Sequence, residues 1–75
     1  MDAKQVLDTK GLACPMPIVR TKKAMDALQS GEILEVHSTD KGAIKDIPAW
    51  AQAGGHEVLQ HIEEAGVLTF WIKKA

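Results

Sequence analysis

A helical repeat set between two short alternating runs constrains this chain more than any other feature. Residues 15–29 (PMPIVRTKKAMDALQ) place Ile18, Thr21, Met25 and Leu28 at three- and four-residue spacing, with Ala24 beside them. Arg20, Lys22, Lys23 and Asp26 lie around the rest, which is the pattern of an amphipathic helix. Pro15 suits the first helical position and Gly31 closes the end. Lys4 to Asp8 before this segment and Glu32 to Thr39 after it read as strands, the second with Leu34 and Val36 on one face and Glu35 and His37 on the other. A strand–helix–strand connection within one sheet is right-handed, so the two strands are expected to be parallel neighbours. The segments that follow them, Lys10 to Cys14 and Asp40 with Lys41, then leave on one edge of the sheet, where α/β folds place their sites.

The remainder continues the pattern. Residues 42–53 (GAIKDIPAWAQA) carry a second helical stripe through Ile44, Ile47 and Ala51, and Pro48 within it predicts a kink or two short pieces. Gly54 and Gly55 stop it. His56 to Ile62 and Val67 to Lys73 read as a hairpin with Glu63 to Gly66 in the turn, Leu68, Phe70 and Ile72 alternating with Val67, Thr69 and Trp71. Each strand has one clearly apolar face and there are two helices, so both helices should cover the same face. The expected fold is an α/β (α+β) two-layer sandwich in the order strand-helix-strand-helix-strand-strand, with a four-stranded mixed sheet. Residues 1–75 form one domain, since a chain this short holds a single core.

Composition narrows the function. A net charge of −1 argues against a domain built mainly to bind nucleic acid. No apolar run approaches the roughly 18 residues of a membrane span, and the N-terminus does not read as a secretory leader. One cysteine cannot form an internal disulfide, so a cytoplasmic setting is expected. A metal site needs three or four converging ligands; His37, His56 and His61 lack such a pattern, His56 and His61 being expected on opposite strand faces, so no metal and no cofactor are expected.

Cys14 carries the chemistry. It stands directly before the first helix, followed by Pro15, Met16 and Pro17. As N-cap its sulfur would face the first-turn amides and the positive end of the helix dipole, which favour thiolate over thiol. Of residues 15–17 only Met16 has an N–H to offer, so the prolines contribute rigidity more than charge. A thioredoxin-like mechanism requires a resolving cysteine two residues on, and that position is Pro17. A terminal sulfur held as a Cys14 persulfide, by contrast, can be handed on without a second cysteine. Intermolecular sulfur transfer is the chemistry that fits a lone, helix-capping thiol.

LDTKGLACPMP together with DKGAIKDIP resembles the TusA-like or SirA-like sulfur-carrier family, over essentially the whole chain and most specifically in the Cys-Pro-x-Pro at the start of the first helix. The resemblance implies a two-layer sandwich, a persulfide on Cys14, and transfer among proteins such as cysteine desulfurases, rhodaneses and DsrE-type acceptors. It implies a carrier in a sulfur relay (tRNA thiolation, cofactor sulfuration or sulfur oxidation) rather than a stand-alone turnover enzyme. By position, Pro15 and Pro17 frame the cysteine, Asp8 and Gly11 match the lead-in, and Asp40, Asp46 and Pro48 match the acidic segment before the second helix. Met16 replaces the glutamate that many members have between the prolines, and Lys41 replaces the second of a pair of acids.

Around the cysteine, Lys10, Met16, Arg20, Asp40, Lys41 and Asp46 are candidates for the rim that a partner meets. The bland reading of each is a solvated lysine or a helix-capping aspartate. A monomer is expected, with weak self-association through the face bearing Trp71 as the alternative. The competing function is a regulatory or nucleic-acid-binding module without chemistry. A third, a peroxide-reactive redox sensor, lacks a neighbouring arginine and threonine pocket to activate the thiol.

Overall fold

The computed structural model describes residues 3–13 and 15–75. Its elements are β1 (Gln5–Asp8), α1 (Met16–Asp26), β2 (Ile33–Ser38), α2 (Ala43–Ala53), β3 (Glu57–Glu64) and β4 (Val67–Lys73), the order that the patterning predicts. The sheet runs β1-β2-β4-β3. β1 and β2 are parallel, with Leu7 opposite Val36, as the crossover through α1 requires. β4 lies antiparallel to both β2 and β3, because α2 carries the chain past the centre and the hairpin brings it back.

The two central strands supply the sheet side of the core: Leu34 and Val36 from β2, and Leu68, Phe70 and Ile72 from β4, all buried. Cross-strand pairs put Val36 opposite Phe70 and Leu34 opposite Ile72 on the helix-covered face. Against them α1 lays Ala24 and Met25, and α2 lays Ala43, Ile47 and Ala51, a stripe at four-residue spacing with small residues at both ends.

Local boundaries depart from expectation in ways with physical causes. α1 ends at Asp26 rather than at residue 29: the Ala27 and Leu28 amides bond to the Ala24 and Met25 carbonyls, three residues back, which tightens the last turn before Gly31 at φ +88°. α2 runs as one helix through Pro48 instead of two pieces. Pro48 forfeits only the bond to the Ile44 carbonyl in the first turn, while the Ala43–Ile47–Ala51 stripe holds both halves to the sheet. The hairpin turn contracts to Ala65 and Gly66, at φ 53° and 79°, whose twist suits a two-residue connection. A register shift between Val58 and Gln60 makes Leu59 an extra residue and reverses the parity of β3. His56 and His61 therefore do not face opposite ways: His56 lies 5.2 Å from the Trp50 ring on α2, and His61 stacks 5.9 Å from Phe70.

The other face of the sheet carries a polar knot. His37 Nε2 donates to Glu35 Oε2 at 2.6 Å, and the Trp71 indole N–H donates to Glu35 Oε1 at 2.9 Å. The hydrogen bond from His37 is the main cause that holds the Glu35 carboxyl below its ordinary 4.5; partial burial opposes it, and the Trp71 bond adds to it. A carboxyl depressed in the folded state contributes stability above its unfolded value, and that contribution is lost as pH falls through the lower folded one. Glu35→Gln should accordingly lower Tm at neutral pH, and the gap from the native protein should close as the pH is taken below 4.5 in thermal melts. A gap independent of pH would contradict this assignment.

Candidate functional site

The carboxyl ends of β1 and β2 and the amino ends of α1 and α2 meet on one edge. Parallel pairing continues one residue past β1, where the buried Thr9 donates its N–H to the His37 carbonyl at 2.8 Å and its hydroxyl to the same oxygen. Asp8 Oδ1 accepts from the Lys10 N–H at 2.9 Å, an Asx turn that lifts the chain off the sheet. Gly11 then takes φ +84°, a conformation that disfavours any side chain, and donates its N–H to Thr39 Oγ1 at 2.9 Å. The Leu12 N–H returns to the Thr9 carbonyl at 3.1 Å. The chain is thus pinned twice, once to itself and once to the end of β2, just before residue 14.

On the far side, Pro15 occupies the N-cap with φ −95° and ψ 9°, and Met16 opens the helix. The expectation that Cys14 is the cap is corrected here, since Met16, not Pro15, is the first residue with helical geometry. The Met16 N–H is also engaged, bonding to the Ala13 carbonyl at 2.9 Å. Pro15 and Pro17 have none, so no amide of residues 15–17 remains for a neighbouring sulfur. Cys14 itself lies outside the described residues. Pro17 is buried, and the Thr21 hydroxyl donates to its carbonyl at 2.7 Å, so this proline anchors α1 as well as stiffening it. Pro15 and Met16 stay exposed.

The second loop is held by its own side chains. The Asp40 N–H donates to Ser38 Oγ at 3.1 Å, and the Gly42 N–H to Asp40 Oδ1 at 3.3 Å. A Cβ on Gly42 would sit 3.4 Å from Asp40 Oδ2 and 3.6 Å from Asp46 Oδ2, so the two carboxylates converge across that glycine. The loops enclose a shallow cavity of about 270 Å³ lined by Gly11, Leu12, Ala13, Thr39 and Asp40. Lys10 reaches Asp8 at 4.0 Å. Arg20, Lys22, Lys23 and Lys41 are exposed and make no ion pair among the described residues. Gly11, Asp40 and Asp46 are thus drawn to the loop junction, whereas Arg20 stands on α1 away from it. Among the described residues no group of three His, Cys, Asp or Glu is placed to hold a metal, and no helix is long and apolar enough to cross a membrane.

Sequence reasoning missed Thr9, Ser38 and Thr39. The signal available was the run of hydroxyl residues where each strand meets its loop, a common source of side-chain bonds to turn backbone. Thr39→Val should strip the acceptor from Gly11, lowering stability by about 0.5–1.5 kcal/mol and removing the hydrogen-exchange protection of the Gly11 amide. Thr39→Ser should restore the protection; unchanged Gly11 exchange in the valine variant would show the bond to be unimportant.

Comparison with known proteins agrees with this geometry. Residues 5–74 match the family described as Sulfurtransferase TusA. The chain is 62% identical over 74 residues to YrkI of Bacillus subtilis (strain 168), covering 99% of each. It is 46% identical over 74 residues to the sulfur carrier protein TusA of Allochromatium vinosum, covering 99% of this chain and 97% of that one. The crystal structure of a SirA-like protein from Desulfitobacterium hafniense superposes with a TM-score of 0.81 at 22% identity, over 92% of this chain and 95% of that one, and shows the same fold.

Proposed function

We infer, for a chain that belongs to the TusA family of sulfur carrier proteins, that Cys14 accepts sulfane sulfur from a donor protein and delivers it to an acceptor protein. The donor is a cysteine desulfurase or a rhodanese carrying a cysteine persulfide, and the acceptor is a DsrE-type or other protein thiol in a sulfur relay. In the loading step the Cys14 thiol attacks the outer sulfur of the donor persulfide. The donor's S–S bond breaks, a new one forms on Cys14, and the donor leaves as a thiol with the proton that Cys14 gave up. Delivery is the same exchange in reverse sense, with the acceptor thiol attacking the Cys14 persulfide. Neither step changes the total oxidation state, so no reductant is required.

The observation that supports this most directly is the chain's single cysteine, which sits between a loop tied to two strand ends and a proline-stiffened helix start. With no second thiol in the chain, the persulfide cannot collapse into an internal disulfide. Pinned flanks lower the entropy lost on meeting a partner's thiol. Incubation with a cysteine desulfurase and cysteine, or with a thiosulfate-charged rhodanese, should add about 32 Da per sulfur atom, removable by reductant and mapped to the peptide holding Cys14. Absence of any adduct from either donor, with the thiol free beforehand, would reject the reading.

A further inference from the structure

At Thr39 the sheet reaches across to the loop that leads to the cysteine. Ser38, the residue before it, is buried and pairs with Leu68 of β4, and its hydroxyl accepts from the Asp40 N–H at 3.1 Å. The backbone is therefore held on both sides of Thr39. Thr39 Oγ1 in turn accepts from the Gly11 N–H at 2.9 Å, joining positions 28 residues apart. The other bonds of that loop are local: the Lys10 N–H to Asp8, the Leu12 N–H to Thr9 and the Met16 N–H to Ala13. They shape the segment from residue 8 to residue 16 but travel with it, whereas Thr9 at its root and Gly11 in its middle are tied to β2 and its end.

Packing does not fix Gly11. The residue is exposed, and a Cβ built on it would meet nothing within 4 Å. Its φ of +84° is one of many values that glycine samples, and glycine has more backbone freedom to lose than any other residue. Without the Thr39 hydroxyl, Gly11 becomes a hinge three residues before Cys14, which is covalently joined to Ala13 and Pro15. The loop would stay rooted at Thr9 and at the start of α1, while the stretch between them gains freedom.

We propose that Thr39 is a positioning residue for sulfur transfer. Its hydroxyl, acting through Gly11, narrows the range open to the segment leading to Cys14 and so raises the rate of persulfide exchange within the docked pair. The proposal rests on the sulfur-carrier reading and adds no step to the exchange balanced above. The attacking sulfur must meet the outer sulfur of the persulfide in a reactive geometry, and a misplacement of about 1 Å can cost on the order of a hundredfold in rate.

Single-turnover loading from a persulfide-charged rhodanese or cysteine desulfurase separates positioning from docking and from thiol acidity. In Thr39→Val the first-order rate at saturating donor should fall about three- to tenfold, the worth of one hydrogen bond, while the half-saturating donor concentration stays within about twofold of native. Alkylation by iodoacetamide, a small electrophile free to approach from any open direction, should keep its native rate across the pH range. Thr39→Ser retains the hydroxyl and should bring transfer back to within about twofold of native. Trp71→Phe deletes another 2.9 Å hydrogen bond, from the indole N–H to Glu35 on the other face of the sheet, and should lower Tm without slowing transfer. An unchanged first-order rate in Thr39→Val, a matching loss in alkylation, no recovery with serine, or equal slowing in Trp71→Phe would each overturn the proposal. Native protein that takes no sulfur from either donor would strike the carrier reading, and the positioning role with it.

Discussion

Cys14→Ser should reduce sulfur transfer to an acceptor protein by roughly three orders of magnitude, or to background, because no other side chain in the chain can bear sulfane sulfur. The measurement is transfer of labelled sulfur from a charged cysteine desulfurase or rhodanese, through the carrier, to an acceptor thiol. The outcome also separates the two leading classes of function. A regulatory or nucleic-acid-binding module would keep its partner affinity in the serine variant, since serine differs from cysteine by one atom and retains a polar side chain. A relay protein would dock and yet transfer nothing. Retention of transfer by Cys14→Ser would remove the chemical basis of the assignment.

Phe70→Ala carries the second large effect. Phe70 is fully buried at the centre of β4, opposite Val36 of β2 and His61 of β3, within the core cluster that the helices join. Truncation there deletes the largest side chain of the core and leaves a cavity that a two-layer domain cannot collapse without moving a helix, at a cost of about 3–5 kcal/mol. For a domain of this size that corresponds to a Tm lower by roughly 12–40 °C, and native stabilities of about 5–15 kcal/mol leave little beyond it. A melt followed by circular dichroism would register the loss. Val6→Ala on β1, where the side chain is 57% exposed, should change stability by no more than about 0.5 kcal/mol and serves as the comparison.

The balance between the two variants reflects how function is distributed here. The core resides in the central strands and the inner helix faces, while the loops that follow β1 and β2 occupy one edge. Met16 and Val19 in the first turn of α1 and Ile44 in that of α2 are exposed apolar groups, and Arg20, Lys22, Lys23 and Lys41 are exposed cations.

Much of the sheet was legible from alternation alone. Leu34 and Val36 are inside and Glu35 and His37 outside because period-two patterning reports directly which face is wet. The same rule misplaced His61, because it holds only while pairing stays in step, and the extra residue at Leu59 breaks step. Ala65 gave no warning of its positive φ, since alanine is not a turn-forming residue; the demand comes from joining β3 and β4 at their twist. Pro48 failed to divide α2 for a comparable reason. One missing hydrogen bond is outweighed by burial along the whole stripe, which only the sheet provides.

The amino-acid sequence by itself determined the element order and the inward faces of β2 and β4, both of which depend on side-chain type and on neighbours a few residues away. Tertiary structure alone decided that β4 lies between β2 and β3 and that Gly11 meets a hydroxyl 28 residues distant. Those contacts join segments whose separation along the chain carries no local signal. They arise only when every apolar face is buried at once.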